Sequence, residues 1–579
     1  MMRARSSFAR VCLLSVLLGA MAAPVAQAGT TLWTVKSDQE IRWHQLTDLG
    51  TLLVATDDGI SCLDPETGKP IWKRDDLKKV PEYHVEEIIG TPLLLVTMNE
   101  GNKTKLHAVD LLTGQNIWET ERLKGATIGV VPVYQKNMVL LLTSRSAGAS
   151  KDKPDMIALD MATGEVRWEA EFPDKVDFHA VEGAGRWGVK YDLSGHQPPV
   201  YDGDSIYFTY AGLHRFDLNT GKLVWGVPYD VTEGRIKRGN AAAVIDGDTI
   251  FTSAKGEIRA HDKTSGQVKW TSKHHGGAVA QIILKGDVLY GRMGGHFYDY
   301  GKREWVLEKP LGVVALNKNT GATIWVFDKA QDGITNMVLL ENPSSILIAD
   351  SKSLIGLDTT GEGKIKEAFK TNLEFKNKIG GGAKAARAGM KFARGGLIGM
   401  AKKSHEDEDP PVIILMRKNG TAVVQAKQHM LAFDPKSQQI PWSVEYEAPG
   451  VPNWQKLVMF AMTAAAYGYS FNEAAHTQLG SSENTWANQN KGDVMKLYQA
   501  FVFKRFSATR AGGQFVYIMT NIEEGGDKGA GIIGVNMDSG GAEHQILFKA
   551  KDPNYKVDEI TGRIFNVKDG KELTAYSVK

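Results

Sequence analysis

Seven times along this chain an acidic or amide residue is followed, eight positions later, by tryptophan. The pairs are Asp64/Trp72, Asp110/Trp118, Asp160/Trp168, Asp217/Trp225, Asp262/Trp270, Asn317/Trp325 and Asp434/Trp442. Three positions after the acid stands Thr or Ser, as at Thr67, Thr113, Thr163, Thr220, Ser265, Thr320 and Ser437. Glycine follows at once in six of the seven, at Gly68, Gly114, Gly164, Gly221, Gly266 and Gly321, and Gln438 takes its place in the last. From Asp64 to Asp358 the motif recurs at intervals of 41 to 57 residues. A turn recurring at that period marks one supersecondary unit repeated along the chain. The functional question therefore moves from a single catalytic centre to the surfaces of a repeat protein.

Each motif lies between two short apolar runs, as Met156-Ile157-Ala158-Leu159 and Glu165-Val166-Arg167-Trp168 lie around Asp160. That pattern is a β-hairpin. The acid or amide accepts N–H bonds from the residues that follow and opens the turn. Glycine supplies the positive φ needed near the end of a three-to-five-residue loop. The tryptophan lies beyond the turn, on a strand, and brings about 150–250 Å² of mostly apolar surface to a neighbour. Since these tryptophans track the repeat, they read as packing anchors.

An earlier strand pair precedes each motif. Asp202-Gly203-Asp204 opens Ser205-Ile206-Tyr207-Phe208, Asp246-Gly247-Asp248 opens Thr249-Ile250-Phe251, and Lys285-Gly286-Asp287 opens Val288-Leu289-Tyr290. Four antiparallel strands in about 45 residues is a propeller blade. Two decayed units extend the series, at Asp358, which has lost its tryptophan, and at Asn536, where His544 stands in the tryptophan position. The C-terminal runs 563–567 and 572–576 lack a tryptophan strand, and Thr31-Leu32-Trp33-Thr34-Val35 is a tryptophan strand without a turn. The two ends complement one another, so the N-terminal strand is expected to complete the last blade and remove an exposed sheet edge. The expected fold is all-β: a single β-propeller over 29–579, with eight blades favoured within a range of eight to ten.

Arg3, Arg5 and Arg10 precede the apolar run 11–20 and then Ala26-Gln27-Ala28. This predicts a secretory signal peptide over 1–28, cleaved after Ala28. Cys12 falls inside the apolar run and not in a lipid-attachment box, so the expected product is a soluble periplasmic or secreted protein and not a lipoprotein. Cys62 alone then remains, within a strand-like run, and reads as a packing residue. Losing three arginines from 69 basic residues leaves 66 against 67 acidic ones. That near-neutral balance gives no electrostatic case for nucleic acid.

The pattern of an apolar strand, Asp, two residues, Thr-Gly, three residues and Trp resembles the PQQ-like β-propeller repeat. Leu106-His107-Ala108-Val109-Asp110 through Trp118 and Met156 through Trp168 are close matches. The resemblance implies the propeller fold and either of two functional classes: quinoprotein dehydrogenases, or non-catalytic scaffolds such as the periplasmic subunit of the outer-membrane β-barrel assembly machinery. The dehydrogenase branch implies adjacent cysteines over a quinone and a bridging Ca²⁺. This chain has no such cysteine pair and no Cys-x-x-Cys-His haem site. No cofactor is therefore expected; PQQ with Ca²⁺ belongs to the alternative reading, and a small ligand in the central funnel to a third. His274, His275 and His296 are the remaining histidines suggestive of metal or acid–base chemistry, and the loop pair His274–His275 reads as solvated. No Gly-x-Ser-x-Gly, His-Glu-x-x-His or phosphate loop occurs.

Two insertions break the period. The first, 372–410, carries Lys376, Lys378, Lys384, Arg387, Lys391, Arg394, Lys402 and Lys403 with no acid before Glu406-Asp407-Glu408-Asp409. A short helix over 383–393 would place Lys384, Arg387, Lys391 and Arg394 as contacts to an anionic membrane or acidic partner, with 376–403 as the contacting stretch. The bland reading is a solvated loop neutralised by its acidic tail. The second, 449–500, shows helical spacing at Trp454, Leu457, Val458, Ala461, Met462 and Ala465. Loops on one face of a repeat ring often carry its recognition. The expectation is thus a monomeric, exported, non-catalytic scaffold that binds an envelope protein or complex.

Overall fold

The computed structural model describes residues 27–577, except 182–189, 376–408, 448–514 and a few shorter stretches. Both expected helical segments fall outside the described residues. Among the described residues, ten sheets of four or five strands follow one another as propeller blades, at the upper end of the expected range and not the favoured eight. Blades I to VIII span 43–74, 85–119, 126–171, 200–228, 244–271, 279–327, 338–372 and 413–445. The decayed motifs at Asp358 and Asn536 both belong to blades, which accounts for the higher count.

Blade X is built from both ends of the chain. Asn554–Asp558, Arg563–Lys568 and Glu572–Ser577 form three strands, and Thr30–Lys36 pairs antiparallel with the last. Blade IX has three described strands of its own, Phe515–Glu524, Asp527–Asn536 and Ala542–Leu547. Its fourth, Gln27–Ala28, runs parallel to Ala542–Leu547. The N-terminal segment thus touches the last two blades in turn.

The strand patterns follow their position. Middle strands have neighbouring blades on both faces and are buried throughout, as in Met138–Ser144 and Ser345–Ala349; such strands read as continuous apolar runs. Outermost strands have one free edge and alternate in exposure, as in Val166–Glu171 and Leu223–Pro228. The core is therefore a series of inter-blade layers. One such layer joins Trp72, Leu94 and Leu106 to Trp118, Leu141 and Ile157 across blades I to III.

The repeated motif builds the joints between these layers. In blade I the Gly68 N–H donates to the Asp64 carbonyl (2.8 Å), and Asp64 Oδ1 accepts from the N–H groups of Glu66 (2.9 Å) and Thr67 (2.8 Å). The tryptophan of one blade then enters the turn of the next. Nε1 of Trp33, Trp72, Trp118, Trp168, Trp270 and Trp442 donates to the carbonyls of Pro65, Leu111, Met161, Leu218, Lys318 and Met537, at 2.8 to 3.2 Å. In each case the acceptor directly follows the motif acid or amide. A Cβ on Gly68, Gly114 or Gly540 would lie 2.6–2.7 Å from an indole carbon. The glycine therefore serves two needs, a φ near +70° and space for the neighbour's ring.

Two of the seven motif tryptophans depart from this lock, which corrects their reading as equivalent anchors. Trp225 keeps the ring contact with Gly266, but its indole N–H lacks a partner. Trp325 of blade VI is buried and packs, with Ile346 and Leu357 of blade VII, in the layer between the two blades. Its ring centroid lies 5.9 Å from that of Tyr290. Among the described residues, however, Trp325 donates to no turn carbonyl of blade VII. The turns differ in length: the Asp64 N–H closes its turn on the Lys69 carbonyl, whereas the Asp358 N–H closes on the more distant Lys366 carbonyl. Gly361 of that longer loop lies outside the described residues. Trp325 is thus a packing residue without the turn bond.

Candidate interaction face

Each blade is a four-strand meander, so its turns divide between the two faces of the disc. Turns between strands one and two, and the Asp-to-Gly turns between strands three and four, share one face. Turns between strands two and three emerge on the other, together with every connection from one blade to the next.

The first face is regular and internally neutralised. Lys263, directly after the motif acid of blade V, pairs with Asp202 of blade IV at 2.6 Å. Lys318 of blade VI reaches Asp246 of blade V (2.9 Å) and Asp287 of its own blade (3.4 Å). Lys136 pairs with Asp204, Arg417 with Asp538, and Arg563 with Glu66. The Asp-Gly-Asp turns are thus ion-paired turns and not metal loops. Such exposed pairs are worth about 0–1 kcal/mol each, but they commit the charges of this face to neighbouring blades.

The second face carries the irregular chain. It bears the connection from blade III to IV (172–199), that from IV to V (229–243), and a long hairpin in blade VI formed by Val288–Asp299 and Glu304–Asn317. Both sequence insertions leave from it too, one after Asn372 at the end of blade VII and one after Glu445 at the end of blade VIII. Lys384, Arg387, Lys391 and Arg394 lie outside the described residues, as does most of 376–403. The two ends of that insertion are described, and they meet. The Asp409 N–H lies 3.5 Å from the Phe375 carbonyl. Phe375 stacks on His429 with ring centroids 4.7 Å apart. Asp409 is fully buried and accepts from the N–H groups of Lys427 (3.1 Å), Gln428 (2.7 Å) and His429 (3.1 Å), and from His429 Nδ1 (2.9 Å). The reading of a solvated acidic tail is therefore corrected at Asp409, whose carboxylate pins the loop to blade VIII. Burial also lowers the pKa of Lys427 beside it.

The other candidates separate. His274 accepts from Gly276 N at 3.1 Å, while His296 is held near 4 by burial, with Lys427 and Arg292 adding to the effect. Among the described residues no three His, Cys, Asp or Glu side chains converge as metal ligands. Cys62 is buried, and burial pushes its thiol up to about 12, so it packs and does not act as a nucleophile.

A propeller whose tryptophans lock blade after blade into the next turn is a PQQ-like repeat protein. The family model described as outer membrane protein assembly factor BamB matches residues 19–175 and 211–365, and the chain belongs to that family. A relative in Xanthomonas campestris pv. campestris, an outer membrane protein assembly factor BamB, is 26% identical over 273 residues. That match covers 38% of this chain and 58% of the relative, so the chain spans little more than half of that protein's length. The crystal structure of BamB from Moraxella catarrhalis is 15% identical, with a TM-score of 0.33, covering 71% of this chain and 98% of that one. A computationally designed protein, Ika8, is 13% identical, with a TM-score of 0.32, covering 72% and 100%. Neither likeness bears on function. Membership of this family agrees with an envelope location.

Proposed function

We propose that this protein is an exported scaffold that binds a protein component of an outer-membrane assembly complex through its irregular face. The asymmetry of the disc carries this reading. One face carries short regular turns tied together by ion pairs, whereas the other holds every connection between blades and the pinned root of the first insertion. The chain enters the periplasm through a signal peptide whose cleavage after Ala28 removes Gln27–Ala28 from beside blade IX and leaves Thr30–Lys36 to close blade X; it acts as a monomer and needs no resident cofactor. The basic stretch 376–403 adds a peripheral contact with anionic lipid.

Site-specific photocrosslinking in the envelope tests the face. Probes at Asn102 and Lys255, in irregular-face turns, should capture an outer-membrane assembly component; probes at Glu66 and Asn219, in regular-face turns, should not. Capture from the regular face alone would overturn the assignment. Sedimentation with anionic vesicles, with and without 376–403, tests the lipid contact, and equal sedimentation discards it. Tight stoichiometric binding of PQQ with Ca²⁺ would instead revive the oxidoreductase reading.

A further inference from the structure

Blade VII is joined to its neighbours at a different radius from the blades that open the ring. In blades I to III the bond to the next blade lies at the rim, where the outer-strand tryptophan donates to the following turn, as Trp168 does to the Leu218 carbonyl at 2.9 Å. On both sides of blade VII that rim bond is missing. Trp325 of blade VI has no turn carbonyl among the described residues, and Glu367–Asn372, the outer strand of blade VII, contains no tryptophan. Side-chain amides between the inner strands take over.

Gln281 belongs to Val279–Lys285, the inner strand of blade VI. Its Nε2 donates to the Met337 carbonyl at 3.0 Å, and its Oε1 accepts from the Met337 N–H at 2.7 Å. Met337 directly precedes Val338–Leu340, the inner strand of blade VII. One residue earlier, Asn336 does the same toward the following blade. Its Nδ2 donates to the Ile414 carbonyl at 3.0 Å, and its Oδ1 accepts from the Ile414 N–H at 2.8 Å. Ile414 lies on Ile413–Met416, the inner strand of blade VIII. A carboxamide presents a donor and an acceptor side by side, so it engages both backbone groups of one residue as a neighbouring strand would. The dipeptide Asn336–Met337 therefore ties three blades together. It is fastened to its own blade as well, since the Thr335 N–H donates to the Ala349 carbonyl and Thr335 Oγ1 accepts from the Ala349 N–H, both at 3.0 Å. Among the described residues, no other junction has an amide bound through both its ends to one residue of the next blade.

We propose that blade VII is a leaf hinged at its inner edge: its outer strand opens from the rim, while the two amide staples keep the inner ring closed. The rim contacts of the leaf are apolar. Phe369 meets Phe433 of blade VIII, and Trp325 shares a layer with Ile346 and Leu357. Such packing is non-directional and leaves no polar group stranded when it loosens. Parting a staple, by contrast, leaves the backbone N–H and carbonyl of one inner-strand or adjoining residue unpaired within the fold. Opening thus begins at the rim and stops at the staples. The device gives the disc one sector whose outer strand moves while the ring stays closed.

Hydrogen exchange on the full chain reads the hinge. Amides of Glu367–Asn372 that pair with the third strand should open about tenfold or more often than their counterparts in Val166–Glu171, whose blade is locked at the rim. Val338–Leu340 should stay as protected as Ala126–Val133, the inner strand of blade III. Replacing both staples, as Gln281→Leu with Asn336→Leu, keeps the side-chain bulk and removes all four bonds. Opening of Val338–Leu340 should then rise about 10- to 100-fold. A smaller ratio between the two outer strands overturns the leaf. So does a wild type in which 338–340 open together with 367–372, because the blade would then leave whole. Unchanged exchange at 338–340 in the double variant overturns the staples, and if that variant does not fold the two wild-type comparisons decide.

Discussion

Six successive junctions of the ring differ from the two that follow, and the difference shows what the motif glycine is for. From Trp33 entering blade I to Trp270 entering blade VI, each tryptophan meets a turn whose glycine leaves room for it. At the next junction Trp325 stays buried against blade VII but loses the bond to the turn. Blade VII then carries no tryptophan, and the turn it would enter, in blade VIII, carries Gln438 where the others have glycine. Gln438 still adopts φ of 57°, so the turn conformation survives without its usual residue. The two losses are one event: with no indole to house, the next turn tolerates a Cβ. Phe369 takes over the junction, lying over Gly356 of its own blade and meeting Phe433 of blade VIII with ring centroids 5.3 Å apart. Blade VIII regains its tryptophan, and Gly540 of blade IX reappears with it.

The largest break in this comparison comes at the seam between the chain ends. Deleting 30–36 removes the fourth strand of blade X and withdraws Trp33 from the turn of blade I. It combines the loss of a half-buried aromatic, at the low end of about 3–5 kcal/mol, with a newly exposed sheet edge. Calorimetry should show a large fall in melting temperature; an unchanged value would mean that the strand does not close the ring.

The next effect separates the two kinds of junction. Trp72→Ala removes a buried ring and its 2.8 Å bond to the Leu111 carbonyl, and should cost about 3–5 kcal/mol. Phe369→Ala removes a ring with no turn carbonyl to leave unpaired, and should fall at the low end of the same range. Denaturant titration of both variants checks the order. A larger loss at Phe369 would show that the tryptophan turns are not the stronger joints.

The blades were legible in the sequence because their cause is local. A turn acid, a glycine and a tryptophan within nine positions report a hairpin and its neighbour together, and the free strand around Trp33 announced the seam. What happens to a given tryptophan depends instead on the turn of the following blade. The spacing around Trp325 matches that around Trp270, yet only Trp270 finds a turn carbonyl. The blade count was harder to read, because the units at Asp358 and Asn536 keep their strands while losing the residue that marked them. The connection from blade III to IV and the long hairpin left only a trace in spacing. The intervals from Asp160 to Asp217 and from Asp262 to Asn317 are 57 and 55 residues, the two longest in the regular series. The role of Asp409 was hidden, since an acid in a run of acids looks solvated until the turn 20 residues on supplies its donors. The division of the two faces needed topology, because it depends on which connections share an end of the meander.

The smallest effects test the shared loss most directly. Gly114→Ala places a Cβ in left-handed backbone, at about 1–2 kcal/mol, and also sets it 2.6 Å from Trp72 Cγ. In a Trp72→Ala background the second component has nothing to act on, and only the backbone component remains. A double-mutant cycle should therefore return a coupling energy of about 1 kcal/mol or more between the two sites. Gln438→Gly meets no indole in the wild-type protein. It relieves the left-handed strain against the greater unfolded-state entropy of glycine, and should stabilise by no more than about 1 kcal/mol. Restoring an aromatic to the outer strand of blade VII should not alter that figure unless the new ring enters the turn. A coupling energy near zero at Gly114 would leave the glycine explained by φ alone, and the paired loss at blades VII and VIII would then be two separate substitutions.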